Sequence, residues 1–184
     1  MPVLAEDART SITRSFRFEI DVLKVLDEEA ERMGISVNAL VGTVLRRYTE
    51  FTRYLSKIDM VVVNRELLTS LMEQLGEDEL HQMGLKMGQT VLADTVMFWK
   101  KEMTERAVME YIEKIICRYG HLGTYDEKQL PGGGMVIVVR HRLGKKGSRF
   151  LEGYFRAGLK HTLGMNASFE VTDSSVKCEF PSKT

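Results

Sequence analysis

Between Ser15 and Phe51 the hydrophobic period changes from two to 3.6, and it does so before the chain has enough residues to cover its first segment. Over Ser15–Ile20, Phe16, Phe18 and Ile20 alternate with Ser15, Arg17 and Glu19, the pattern of a strand with one buried face. Asp21 then stands where a helix N-cap belongs, Val22, Leu23, Val25, Leu26, Ala30 and Met33 follow at helical spacing, and Gly34 supplies the stop. Ser36 caps a second helix whose stripe of Val37, Leu40, Val41, Val44, Leu45, Tyr48 and Phe51 runs towards Leu55. A strand this short needs a neighbour, and about 45 residues give too small a core for comfortable independent stability. The pattern therefore predicts two copies that pair their Ser15–Ile20 strands antiparallel across a two-fold axis. Phe16, Phe18, Ile20, Leu40 and Val44 would form the dimer core, and Ser15, Arg17 and Glu19 would face outwards on a ribbon that fits a DNA major groove.

This layout resembles the ribbon-helix-helix family of the Arc, MetJ and CopG type over RSFRFEIDVLKVLDEEAERMGISVNALVGTVLRRYTEF, Arg14 to Phe51. The similarity rests on the alternating strand, the first helix, the G-x-S-x-N turn at Gly34, Ser36 and Asn38, and the long second helix. The resemblance implies that Ser15, Arg17 and Glu19 contact DNA bases. It also implies that Arg14, Ser36, Val37 and Asn38 contact a DNA phosphate, as helix N-termini do generally. Glu19 departs from the family by placing an acid on the ribbon, and Gly42 is unusual inside a helix, costing about 1 kcal/mol against alanine.

Charge gives no general support to nucleic-acid binding. The chain carries 26 basic and 26 acidic side chains, and Met1 to Lys57 holds nine of each. Four of these acids cluster at Asp27 to Glu31 on the first helix, so Arg9, Arg14 and Arg17 leave the ribbon side locally positive. No apolar run reaches the roughly 18 residues of a membrane span, and the first fifteen residues lack the apolar core of a secretory signal. Two cysteines, Cys117 and Cys178, fit a reduced compartment, so a cytoplasmic protein without membrane association is expected.

The expected organisation is an arm over residues 1–12, the ribbon-helix-helix domain over 13–57, and an α+β domain over 60–184 with a small antiparallel sheet covered by helices. In that last part, helical spacing covers Leu67–Leu75, Leu80–Trp99, Thr104–Tyr119 and Lys145–Leu163. Strands are expected at Met135–His141 and in a hairpin of Ser168–Val171 with Val176–Phe180, and a short strand and loop lie within Gly120–Gly134.

Two stretches, HQMGLKMGQTVLADT and FLEGYFRAGLKHTLG, are similar to the four-vinyl-reductase type of ligand-binding domain, related to a trafficking-complex fold that holds acyl chains. The matching residues include Gly84 and Gly88 in the first, and Phe150, Leu151, Gly153, Gly158, Leu159, Leu163 and Gly164 in the second, with Cys178 and Phe180 beyond them. This resemblance implies a cavity for a small apolar ligand, with Met83, Met87 and Phe155 as candidate lining residues; ordinary core filling is the alternative for the methionines. His81, His121, His141 and His161 invite comparison with nickel-responsive ribbon-helix-helix repressors, but no HxH, HxxxH or CxxC spacing joins them, so no metal and no cofactor is expected. Arg140, Arg142, Lys145, Lys146 and Arg149 form a basic run that either contacts DNA flanks or an anionic ligand, or is a solvated edge. Gly144–Ser148 lacks phosphate-loop spacing, and no nucleophile–base or paired-carboxylate pattern points to an enzyme. The expected function is a sequence-specific DNA-binding transcriptional regulator acting on double-stranded DNA as a homodimer or higher oligomer. The alternative is a ligand-binding or protein-interaction dimer in which the ribbon only joins the subunits.

Overall fold

The computed structural model describes residues 12–55, 57, 60–131 and 133–181. Most of the expected arm, part of the expected boundary at Lys57–Asp59 and one glycine of the Gly132–Gly134 run lie outside the described residues.

Residues 12–19 have no regular secondary structure, and Ile20, expected to end a strand, instead opens helix α1, Ile20–Met33. The ribbon-helix-helix fold is thereby overturned: among the described residues the N-terminal part is helical and contains no β-ribbon. A strand is defined by the neighbour that takes its backbone hydrogen bonds, and alternation alone supplies no neighbour. Helical geometry also begins earlier than expected. Glu19, at φ −65° and ψ 149°, occupies the N-cap, which leaves Asp21 in the first turn, where its charge suits the positive helix end. Gly34 ends α1 in the left-handed region (φ 66°), and the Gly34 and Ile35 amides donate back to the Glu31 and Ala30 carbonyls in a Schellman-type stop. Helix α2, Val37–Arg47, starts at Ser36, whose Oγ accepts from the Ala39 amide at 3.2 Å.

The chain divides after Tyr48 into two compact units. In sequence the helical conformation continues as a π-helical stretch, Tyr48–Thr52, and the short α3, Arg53–Leu55. The second unit adds α4 (Arg65–Glu73) and α5 (Glu77–Met87), the latter followed by π-helical Gly88–Leu92 and α6 (Ala93–Lys100). Next come α7 (Glu105–Glu110), extended by π-helical Tyr111–Tyr119, then β1 (Gly123–Gln129), β2 (Met135–His141), α8 (Gly144–Leu163), β3 (Ser168–Val171) and β4 (Ser175–Phe180). The sheet is antiparallel throughout, in the order β1-β2-β4-β3.

Its register explains the core. Met135, Ile137 and Val139 of β2 stand opposite Phe180, Cys178 and Val176 of β4, and all six are buried on one face. Phe155 and Leu159 of α8, Ile112 and Ile115 of the π-helical stretch, and Leu92 and Val96 close that core. A buried Tyr111–Tyr154 hydroxyl pair at 2.9 Å satisfies the polar tips of two of its rings.

Helices α5 and α8 meet through glycine. A Cβ on Gly84 or Gly88 would run into the carbonyl oxygens of Phe150 or Tyr154, and one on Gly153 into that of His81. The same crossing is pinned by Glu152, which is buried and accepts from Arg149 at 2.5 Å and Arg156 at 2.7 Å. His81 Nδ1 lies 3.3 Å from a Glu152 carboxylate oxygen and 3.4 Å from the Arg149 carbonyl. Both are acceptors, so Nδ1 of His81 is the donor in these contacts.

Candidate functional site

In the N-terminal unit the expected DNA-contacting residues lie on a segment without regular secondary structure and at one helix start. Ser15, Arg17 and Glu19 are all exposed, with Glu19 serving as the α1 N-cap rather than as a ribbon residue. Arg14 and Arg17 make no hydrogen bond or ion pair among the described residues. The first-turn amides of Val37 and Asn38 precede the first intrahelical donor of α2, the Leu40 amide, so that helix presents the open donors that favour an anion. Acids Asp27, Glu28, Glu29 and Glu31 lie on α1 together with Lys24 and Arg32, and Arg32 pairs with Glu29; Arg14 and Arg17 precede that helix, and Arg46 and Arg47 end α2.

The expected dimer core is mostly uncovered in the single chain. Leu40 is buried, but Phe16, Phe18, Ile20 and Val44 are 64%, 44%, 76% and 52% exposed. Phe16 and Phe18 still touch, their ring centroids 6.4 Å apart. Beyond Leu40 the unit buries only Ala30 among the described hydrophobic side chains of its two helices.

In the second unit, an apolar groove of about 360 Å³ opens between α4, α5 and the first turns of α8. Leu68, Leu71 and Leu75 form one wall, Met83 and Met87 another, and Leu143 and Phe150 sit beneath; every lining side chain is apolar. Met72, Leu80 and Leu143 make a small satellite core at its base. The two methionines named from sequence therefore do line a cavity. Phe155 is fully buried in the main core and is not part of the groove wall. The leucines of α4 are legible in sequence only as a helical stripe, because nothing in the spacing tells a covered stripe from an uncovered one.

A second concavity, of about 430 Å³, lies where β1 and β2 meet the end of the π-helical stretch Tyr111–Tyr119. Arg65, Arg118, Arg140 and Arg142 line it with His121, His141 and Thr124. His141 itself is locked into the fold. Its Nδ1 accepts from the Leu143 amide at 3.2 Å, so the proton is on Nε2, which donates to Ser148 Oγ at 2.9 Å. Burial holds its pKa below the ordinary histidine value. Sequence spacing offers His141 only as a possible metal ligand and Ser148 only as part of a failed phosphate loop, and neither hints at this pairing.

Other titratable groups are structural. Burial opposes ionisation of Glu110, yet hydrogen bonds from Lys100, Arg106 and Lys114 outweigh it and bring its pKa to about 2. Burial, with the charge of Glu113, pushes the Cys117 thiol up to about 12, and burial also raises Cys178, so neither is an activated nucleophile. Among the described residues no group of three or more histidines, cysteines or carboxylates could hold a metal ion, and no helix is long and apolar enough to cross a membrane.

No family model, curated protein or solved structure matches the chain.

Proposed function

We propose that the protein is a cytoplasmic DNA-binding transcriptional regulator that works as a homodimer, its N-terminal unit meeting double-stranded DNA and its C-terminal unit taking an effector. The observation that carries this reading is the surface of the N-terminal unit. Among its described residues it buries only Ala30 and Leu40 of its apolar side chains, and a second copy of the same unit would cover the others. It also carries Arg14 and Arg17, unpaired among the described residues, together with the exposed start of α2. DNA is met by the irregular segment before α1 and by the first turn of α2; a base-reading β-ribbon is no part of the proposal. The groove walled by Met83 and Met87 supplies a place for a small apolar effector.

The test is fluorescence anisotropy of the full chain with duplex fragments that include its own promoter, over a salt series. Specific binding whose log affinity falls steeply with log salt supports the reading, and replacing one phosphate-binding cation by alanine should flatten that slope by about one. Arg17→Ala should cost about 1 to 3 kcal/mol if Arg17 reads a base. Failure to bind any fragment at low salt, with the dimer intact by sedimentation, favours the other reading, a ligand-binding dimer; the balance of acids and bases in the first 57 residues is the observation on that side.

A further inference from the structure

The basic run Arg140–Arg149 is continuous in sequence, but the fold disperses it. Lys145 pairs with Glu77 at 2.9 Å, Lys146 with Glu73 at 3.0 Å and Arg149 with Glu152 at 2.5 Å, so three of its charges are engaged by carboxylates on helices. Arg140 is paired with Asp126 on the adjacent strand β1. Arg142 alone of the five makes no hydrogen bond or ion pair among the described residues.

Arg142 faces the 430 Å³ concavity together with Arg65, Arg118 and Arg140, and among the described residues no carboxylate lines it. These four come from separate places: the first residue of α4, the end of the π-helical stretch, β2, and the turn after β2. Glu113 holds Arg118 at 2.5 Å and Asp126 holds Arg140, each carboxylate acting from outside the cavity lining. The Arg65 guanidinium donates to the His121 carbonyl at 3.5 Å, and His121 is itself in the left-handed region at φ 53°, where a non-glycine residue is uncommon. Arg65 and Arg142 have no carboxylate partner among the described residues, so an anion in this concavity would supply the counter-charge that the fold gives to Arg118 and Arg140. Guanidinium forks match the oxygens of a phosphate bidentately, and several of them suit more than one phosphate. The volume fits a small molecule. An adjoining cavity of about 550 Å³ shares Arg65 and Arg142 and adds Asn64, Glu66 and Thr69, donors and acceptors suited to a hydroxylated remainder.

We propose that this concavity is a binding site for a small molecule carrying a di- or triphosphate. The site is separate from the apolar groove, although Leu122 borders both, and it stands whether or not the N-terminal unit meets DNA.

The experiment is calorimetric titration of the full chain with inorganic pyrophosphate at constant ionic strength, repeated with variants. Saturable binding is expected, weakened about tenfold or more by Arg142→Ala and by Arg65→Ala, because each removes charge-assisted hydrogen bonds. Lys145→Ala, which removes a charge of the same run that is already paired with Glu77, should leave the affinity within about twofold. Arg142→Lys keeps the charge without the fork and should bind with intermediate affinity, which guards against a variant that fails to fold. Absence of saturable binding by the unsubstituted chain overturns the proposal. So does equal weakening by Lys145→Ala, which would mean diffuse charge only, and so does an Arg142→Ala chain that loses duplex DNA but keeps pyrophosphate, which would make Arg142 a DNA-backbone residue.

Discussion

The two units of this chain solve the problem of burying apolar surface in opposite ways. The second unit closes a sheet, a long helix and several shorter helices over a core in which Phe155, Ile137, Val139 and Val176 are all fully buried. The first has two amphipathic helices and buries Ala30 and Leu40, leaving Phe16, Ile20, Val25 and Val44 more than half exposed. At roughly 25 cal/mol per Å² of apolar surface removed from water, the second unit has a driving force of its own and the first leaves most of its own unused. Amphipathic periodicity thus measures a demand for burial and does not say whether the same chain meets it.

The contrast breaks most sharply at Phe155. Phe155→Ala should cost about 3–5 kcal/mol, because it empties the centre of the main core; thermal unfolding followed by far-UV circular dichroism reads this directly. A loss under about 1 kcal/mol would mean that the second unit is no better packed than the first. Gly84→Val is the next largest, at about 1–3 kcal/mol, since its side chain has to push the Phe150 carbonyl and with it α8. Denaturant midpoints should drop for that variant while Gly42→Ala, at a helical glycine whose Cβ would meet open space, leaves stability unchanged or raised by up to about 1 kcal/mol.

His141 gives the contrast a pH axis. The folded second unit keeps His141 neutral and the unfolded chain protonates it near 6.5, so the unfolded state binds more protons as pH falls below that value. Its contribution is fully present above about pH 6.5 and is lost as pH falls towards the lowered folded pKa. Urea titrations over the range from about pH 8 down to about pH 5 should show this decline, and His141→Asn, which cannot titrate, should flatten it. An unchanged slope would show that the Ser148–His141–Leu143 chain is not what responds. The smallest effect belongs to Met83→Ala. Met83 is 42% exposed on the groove wall, so stability should change by less than about 0.5 kcal/mol. Fluorescence of an apolar dye should fall for that variant if the groove binds apolar ligands, and an unaltered signal would assign Met83 to ordinary surface.

Much of the second unit is legible from spacing. The strands Met135–His141 and Ser168–Val171, the second hairpin strand and the helix ending at Gly164 lie where alternation, helical stripe and turn residues put them, because each has a partner close in the chain or a core that its pattern describes. The segment Ser15–Ile20 alternates just as cleanly and forms no strand in the single chain. There the pattern has no intramolecular neighbour, and the helix that follows takes Ile20 instead. The candidate site is less legible still. Met83 and Met87 can be named one turn apart, but Phe155, equally apolar and equally helical, goes to the core, and no local signal distinguishes these outcomes. Arg65 and Arg118 stand 53 positions apart, and nothing joins them until β1, β2 and the π-helical stretch bring them to one concavity.

The sequence by itself determined the local devices: Ser36 as an N-cap, Gly34 and Gly164 as left-handed helix stops, the one-faced strands of the C-terminal hairpin, and the apolar stripes of α1 and α2. Each is a matter of backbone sterics or of one hydrogen bond within a helical turn, so local chemistry suffices. Only the tertiary structure decided which stripes are covered, which glycines bring α5 against α8, where helical turns widen to π geometry, and which charges of a basic run stay without a carboxylate. Those outcomes depend on residues far apart in the chain competing for the same surface and the same carboxylates, and that competition is settled by packing in three dimensions.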